Sequence, residues 1–185
     1  MRTSVAPGGR DAPQHAVEES KYGPERLQGK VSRPLLVDLD MGDHAMSDNE
    51  VEAFLRAMPP HTAKVATTRA DGRPHVAPVW FDMDDDGSLV FTTGEASVKG
   101  RALRRDPRVA LSVDDERPPF TFVVMEGRAT VIRDPTELLR WTAKIGGRYM
   151  GEARAEEYGR RNATPEELLV RVRPERIVAA RDIAA

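Results

Sequence analysis

The chain has 185 residues, enough for one well-buried core, and its 30 acidic and 28 basic residues give a formal net charge of -2. No global field therefore draws it to nucleic acid or to an anionic membrane, and any anion site must be local. The absence of cysteine excludes disulfides, thiolate metal sites and thiol nucleophiles. No apolar run approaches the roughly 20 residues needed to span a bilayer, and the N-terminus lacks an apolar signal core, which predicts a soluble cytoplasmic protein.

Residues 1–46 are rich in Pro, Gly and mixed charges and poor in large apolar groups, the composition of a flexible polar arm. Within it, Pro34-Leu35-Leu36-Val37 is a short apolar patch suited to docking on the domain or on a partner. Asp38, Asp40 and Asp43 after it read as a solvated acidic loop rather than a metal cluster. The folded domain is expected over residues 47–185. Ser47-Asp48-Asn49-Glu50 has capping-box spacing, and Val51, Phe54, Leu55 and Met58 recur with a helical period until Pro59-Pro60.

Lys64 to Thr68 is short and β-branched, and Arg69-Ala70-Asp71-Gly72-Arg73 supplies a hairpin connection. The return strand, Pro74 to Met83, places His75, Ala77, Val79 and Phe81 on one face and Val76, Pro78 and Trp80 on the other. Both faces are largely apolar, so cover is expected on both sides. Pro78 has no N–H to give a neighbouring strand, which marks an edge, a bulge or a place where a ligand lies alongside. Asp84-Asp85-Asp86-Gly87 is a turn before the strand Ser88 to Thr93.

Ser97 is placed to cap a helix over Val98 to Arg105, which Asp106-Pro107 ends. Strands follow at Arg108 to Asp114 and from Phe120 to Ile132, where Gly127 suggests a bulge or a close backbone approach. Asp134-Pro135-Thr136-Glu137 starts a helix carrying Leu138, Leu139, Trp141, Thr142 and Ile145, with Gly146-Gly147 expected to interrupt it. A polar helix near Glu152 to Arg161 and a closing strand, Leu168 to Val172 with Ile177 to Ala180 beyond Pro174, complete the chain. Six short strands at hairpin spacing with helices between them predict an antiparallel barrel with peripheral helices, mainly β within the α+β class.

Thr92, Thr93, Ser97, Lys99 and Arg101 gather three hydroxyls and two cations within ten residues of one strand–turn–helix unit. A phosphate suits such a group, with a guanidinium bonding it through two N–H, an ammonium adding a point charge and hydroxyls meeting the remaining lone pairs. Spacing alone leaves the plain alternative open, in which Ser97 only caps the helix, the threonines are strand formers and the cations face water. Arg104 and Arg105 fit the outer helix face. No histidine among positions 15, 44, 61 and 75 has metal-ligand spacing, no phosphate-binding glycine loop occurs, and no nucleophile elbow is present. An anion site without an evident acid, base or nucleophile invites a cofactor that brings its own reactivity.

Val76-Ala77-Pro78-Val79-Trp80-Phe81, Leu89-Val90-Phe91-Thr92-Thr93, Ser97-Val98-Lys99-Gly100-Arg101-Ala102-Leu103 and Arg105-Asp106-Pro107-Arg108-Val109-Ala110-Leu111 resemble, in order and spacing, the flavin- and deazaflavin-binding split β-barrel proteins of the pyridoxamine-phosphate-oxidase-like superfamily. Among these the chain is most similar to the actinobacterial branch that uses the deazaflavin coenzyme F420, and the overlay spans Ser47 to Ile183. The Arg-rich, GC-type composition agrees with that source.

The resemblance implies a six-stranded antiparallel split barrel of the FMN-binding type and a homodimer with the cofactor at its interface. Lys99, Arg101, Ser97, Thr93 and Thr92 would hold the cofactor phosphate, and the ring would lie along Ala77, Pro78, Val79 and Trp80. Trp141, Arg148 and Tyr149 would complete the site from either chain. Met125-Glu126-Gly127 resembles the strand beside the ring, which would explain a close approach at Gly127. Ala102 departs from the family, where many relatives carry Asn and one polar contact more. The implied activity is hydride transfer from reduced coenzyme F420 to an activated alkene, quinone or tetrapyrrole-like acceptor, with no assigned catalytic side chain and no metal. FMN is the rival cofactor. A non-catalytic carrier of flavin, deazaflavin or haem, or a barrel used only for dimerisation, are the other classes open to this sequence.

Overall fold

The computed structural model describes residues 35–36 and 42–184. The expectation of a flexible arm over residues 1–46, including the acidic loop at Asp38 and Asp40, falls largely outside them. Leu35–Leu36 (β1) pairs in parallel with Arg176–Ile177. Met46 is buried in the core, and His44 accepts from the Arg181 N–H through its carbonyl.

Helix α1 (Asp48–Leu55) starts as its sequence dictates: Ser47 N donates to Glu50 Oε2 at 2.8 Å and Ser47 Oγ accepts from Glu50 N. Val51 and Leu55 enter the core. The strands are β2 (Ala63–Thr68), β3 (Pro74–Val79), β4 (Phe81–Met83), β5 (Leu89–Gly94), β6 (Arg108–Asp115), β7 (Thr121–Ile132) and β8 (Glu167–Ala180). Helices α2 (Val98–Arg105), α3 (Pro135–Met150) and α4 (Ala155–Asn162) lie between them in sequence.

All hydrogen-bonded neighbours along the sheet order β3-β2-β6-β7-β8-β5-β4 are antiparallel, giving the split barrel with peripheral helices. Its strand count exceeds six because the run from Pro74 to Met83 is broken at Trp80 and because β1 adds a short parallel strand beside β8. Its two halves, β3 and β4, take opposite ends of the sheet order, so a single stretch of chain passes from one edge of the curled sheet to the other. Phe81, Phe91, Leu111, Met125, Val123, Leu168 and Val170 fill the interior.

Three local readings change. First, β8 is one continuous strand through Pro174, which sits opposite Gly127 at the register shift between Glu126 and Gly127. A Cβ at Gly127 would collide with the Arg173 carbonyl, so the close approach is to the β8 backbone. Second, Gly146-Gly147 does not interrupt α3. The pair lets α4 pack against it: a Cβ on Gly146 would collide with the Tyr158 side chain, and Gly159 of α4 in turn lies against Ala143. Third, the Val76, Pro78 and Trp80 face of β3 is open rather than covered, with Val76 61% and Trp80 36% exposed.

Candidate functional site

The break at Trp80 creates the site. β4 pairs with β5 through Phe81 and Phe91, and extending that register would set Trp80 opposite Thr92, Val79 opposite Thr93 and Pro78 opposite Gly94. Those three residues do not take that register: Pro78 and Val79 pair instead with Lys64 and Ala63 of β2. A gap opens between the C-terminal ends of β3 and β5. This pocket, about 330 Å3, is lined by Pro78, Val79, Trp80, Thr92, Thr93, Gly94, Ser97 and Lys99, with Thr142, Ile145, Asn162 and Glu167 closing it from α3, α4 and β8.

The turn from β5 into α2 builds its polar end. Ser97 Oγ accepts from Gly100 N at 3.0 Å and lies 3.0 Å from Thr93 Oγ1, so the helix cap and the strand hydroxyl share one corner. A Cβ at Gly100 would collide with the Gly94 carbonyl and stand 3.0 Å from that of Glu95, so glycine is what allows α2 to begin so close to β5. Lys99 supplies the cation. The donor set of two clustered hydroxyls, an ammonium and the first N–H groups of a helix fits a phosphate oxygen array. The apolar end is set by Trp80, whose ring stacks on Tyr149 with centroids 4.9 Å apart and an interplanar angle of 6°.

Of the residues expected around a cofactor, Pro78, Val79, Trp80, Thr92, Thr93, Ser97 and Lys99 line this pocket. Ala77 sits one residue earlier on β3, opposite Val65. Arg101 is exposed on α2, where it donates to the Ala96 carbonyl. Trp141 is a correction. It is 0% exposed, packed with Val90, Leu138, Ile145 and Leu169, and its indole N–H has no partner among the described residues. The helix is as expected but the phase is not: Thr142 and Ile145, one and four residues on, reach the pocket.

Arg148 is likewise a framework residue. It binds Asp82 Oδ1 at 2.7 Å and donates to the Leu55 carbonyl at 2.6 Å. Tyr149 acts through Trp80. Its hydroxyl donates to the His61 carbonyl at 2.5 Å and accepts from Phe81 N at 3.3 Å, and burial pushes its pKa up. His75 is half-buried opposite Thr67, and neither His75 Nδ1 nor Thr67 Oγ1 has a hydrogen-bond partner among the described residues.

Asn162 and Glu167 are pocket residues that the sequence did not single out. Burial pushes the Glu167 carboxyl up, against a hydrogen bond from Thr92 and the nearby charge of Lys99. A second pocket of about 340 Å3, lined by Ile132, Arg133, Asp134, Pro135, Leu138 and residues 163–165, shares Glu167 as a wall.

The family profile described as "Pyridoxamine 5'-phosphate oxidase" matches residues 47–179. The chain belongs to this family. Its match begins at the Ser47 cap and runs through β8, so it takes in the whole gap between β3 and β5. Among solved structures, a conserved hypothetical protein from Mycobacterium tuberculosis is 27% identical, with a TM-score of 0.68 over 78% of this chain and 91% of that one. A protein named F420 reductase is 29% identical, with a TM-score of 0.54 over 68% of this chain and 94% of that one. The haem storage protein HutZ from Vibrio cholerae is 20% identical, covers 72% and 94% of the two chains with a TM-score of 0.57, and shares the fold. No curated protein matches the chain. Family membership supports an oxidoreductase-type barrel for a flavin-like cofactor. No helix among the described residues is long and apolar enough to cross a membrane.

Proposed function

We propose that this protein is an oxidoreductase that binds reduced coenzyme F420 in the gap between β3 and β5 and transfers hydride to an electron-poor small molecule such as an activated alkene, a quinone or a tetrapyrrole-like acceptor. The observation that carries the reading is the pocket itself. It places a flat apolar wall, Pro78, Val79 and Trp80, against a phosphate-type corner of Thr93, Ser97 and Lys99. The deazaflavin, when bound, supplies the hydride chemistry. The protein residues position and desolvate: Trp80, held by Tyr149, fixes the plane of a ring, while Thr93 and Ser97 present hydroxyls to a phosphate. The similarity to an F420 reductase favours the deazaflavin over FMN, which the same donor set would also accept.

A cytoplasmic homodimer is part of the proposal. The apolar face of Val76, Pro78 and Trp80 borders the pocket and stays open within one chain, so a second copy seated there would cover it and narrow the pocket mouth. Stopped-flow absorbance tests the activity. Protein loaded with reduced coenzyme F420 is expected to return to the oxidised spectrum when a quinone or activated alkene is added. A reduced cofactor that persists with every acceptor would make the protein a carrier instead.

A further inference from the structure

Among the twelve described residues around the pocket, two are ionisable: Lys99 and Glu167. The arginines nearest in sequence to the phosphate corner are engaged elsewhere. Arg101 donates to the Ala96 carbonyl, Arg105 donates to the Thr68 carbonyl, and Arg104 pairs with Glu95 Oε1 at 2.6 Å, as does Arg133 from beyond β7. Glu167 enters from β8, where it stands opposite Gly94, and shares the pocket with Thr92, two residues back along β5. Its carboxyl lies against Gly94, where a Cβ would stand in ordinary contact with Glu167 Oε2 at 3.7 Å. The lining is therefore neutral, with one fixed cation matched by one carboxyl. A first negative charge on a ligand finds Lys99. A second finds no further cation among the described lining residues and meets Glu167.

We infer that Glu167 is a specificity-determining residue, tuning this pocket to a singly charged phosphodiester and against a doubly charged phosphomonoester. The inference rests on the reading that the pocket holds a cofactor phosphate. A phosphomonoester carries about -1.5 to -2 at neutral pH, because its second proton leaves near pH 6, whereas a diester carries one charge. The phosphate of coenzyme F420 is a diester and that of FMN is a monoester, so one carboxylate separates the two candidate cofactors. The charged and polar groups that act on Glu167 or share its pockets are Lys99 from α2, Thr92 from β5 and Asn162 from α4, with Arg133 and Asp134 lining the second pocket. Its burial favours the protonated form, so the discrimination weakens as pH falls and Glu167 takes up a proton.

Calorimetric titration of wild type, Glu167→Gln, Glu167→Asp and Lys99→Ala with FMN and with coenzyme F420 at pH 7 tests this. Glu167→Gln should bind FMN about tenfold more tightly than wild type and coenzyme F420 within about threefold of it, while Glu167→Asp keeps the wild-type ratio. Lowering the pH should bring the two ratios together, because Glu167 and the FMN monoester each take up a proton. A ratio that Glu167→Gln leaves unchanged overturns the inference, whether both affinities shift together or neither moves. Lys99→Ala separates the two levels: wild-type affinity for both cofactors in that variant shows that the phosphate lies elsewhere, and the pocket reading itself fails.

Discussion

Arg148 and Asp82 meet at 2.7 Å with side chains only 8% and 10% exposed, an almost buried ion pair that ties α3 to β4 directly behind the pocket. The same guanidinium donates to the Leu55 carbonyl at the end of α1 and lies over the Phe81 ring. Lys144 reaches the second Asp82 oxygen at 3.2 Å. Removing one member of a buried pair strands the other charge, and that loss exceeds the net worth of the pair. Arg148→Ala is therefore expected to cost about 3 kcal/mol in urea unfolding, near the lower end for a buried pair because Lys144 remains. In the Asp82→Asn background the same change should cost much less. Equal costs in both backgrounds would show the pair to be uncoupled.

The contact between α3 and α4 gives a second expectation. Gly146→Ala drives a methyl into Tyr158, and the neighbouring helix axis cannot yield without moving Gly159 off Ala143, whose Cβ would be 2.8 Å from any Cβ there. Overpacking of this kind costs about 1–3 kcal/mol, so the thermal midpoint should fall by several degrees although alanine is the better helix former. An unchanged or higher midpoint would mean that the helices separate freely.

These two examples show why parts of the fold were legible and others were not. The caps at Ser47 and Asp134 depend on residues two or three positions away, and Asp134 Oδ1 accepts from Thr136 N and Glu137 N as its spacing implies. Gly146-Gly147 has the local signature of a helix break, and only the arrival of α4 reveals a packing site. Trp141 faces the core and Thr142 the pocket, a difference of one position that helical periodicity does not resolve without knowing which side α4 covers. Glu167 joins the pocket lining through the pairing of β5 with β8, a relation between residues far apart in sequence. Pro78 was the best local signal: its missing N–H marked the point where the sheet opens.

Acid stability should depend on two short Asp–Arg clasps that bracket β6. Asp106 accepts from the Arg108 side chain and N–H, and Asp115 from those of Arg117, so each carboxyl is lowered from 3.8 to about 2. A depressed folded-state pKa means stability that is present above the unfolded value and is lost as pH falls from about 4 towards 2. The double variant Asp106→Asn with Asp115→Asn should melt below wild type at pH 7 and converge with it towards pH 2, so its thermal midpoint depends less on pH in that window. Identical acid limbs in the two proteins would contradict the assignment.

Glu167 has the opposite sign. Its carboxyl is raised by burial, so the folded state favours the proton and the contribution to stability is lost as pH rises through the raised value. Without ligand, Glu167→Gln should melt at a higher temperature than wild type at pH 7 and at a similar temperature at pH 4. A lower midpoint at pH 7 would show that the carboxylate is a net stabiliser of the pocket.

The account rests on the gap between β3 and β5 holding a phosphorylated ring, and titration with coenzyme F420, followed by tryptophan fluorescence, tests this most directly. The chain has two tryptophans, of which Trp141 is buried and Trp80 lines the pocket. Saturable quenching is expected in wild type, with affinity reduced by about 1.5–3 kcal/mol in Lys99→Ala, nearly unchanged in Arg101→Ala, and the quenching itself lost in Trp80→Phe. Quenching that survives in Trp80→Phe, with equal affinity in Lys99→Ala, would place the cofactor outside this pocket.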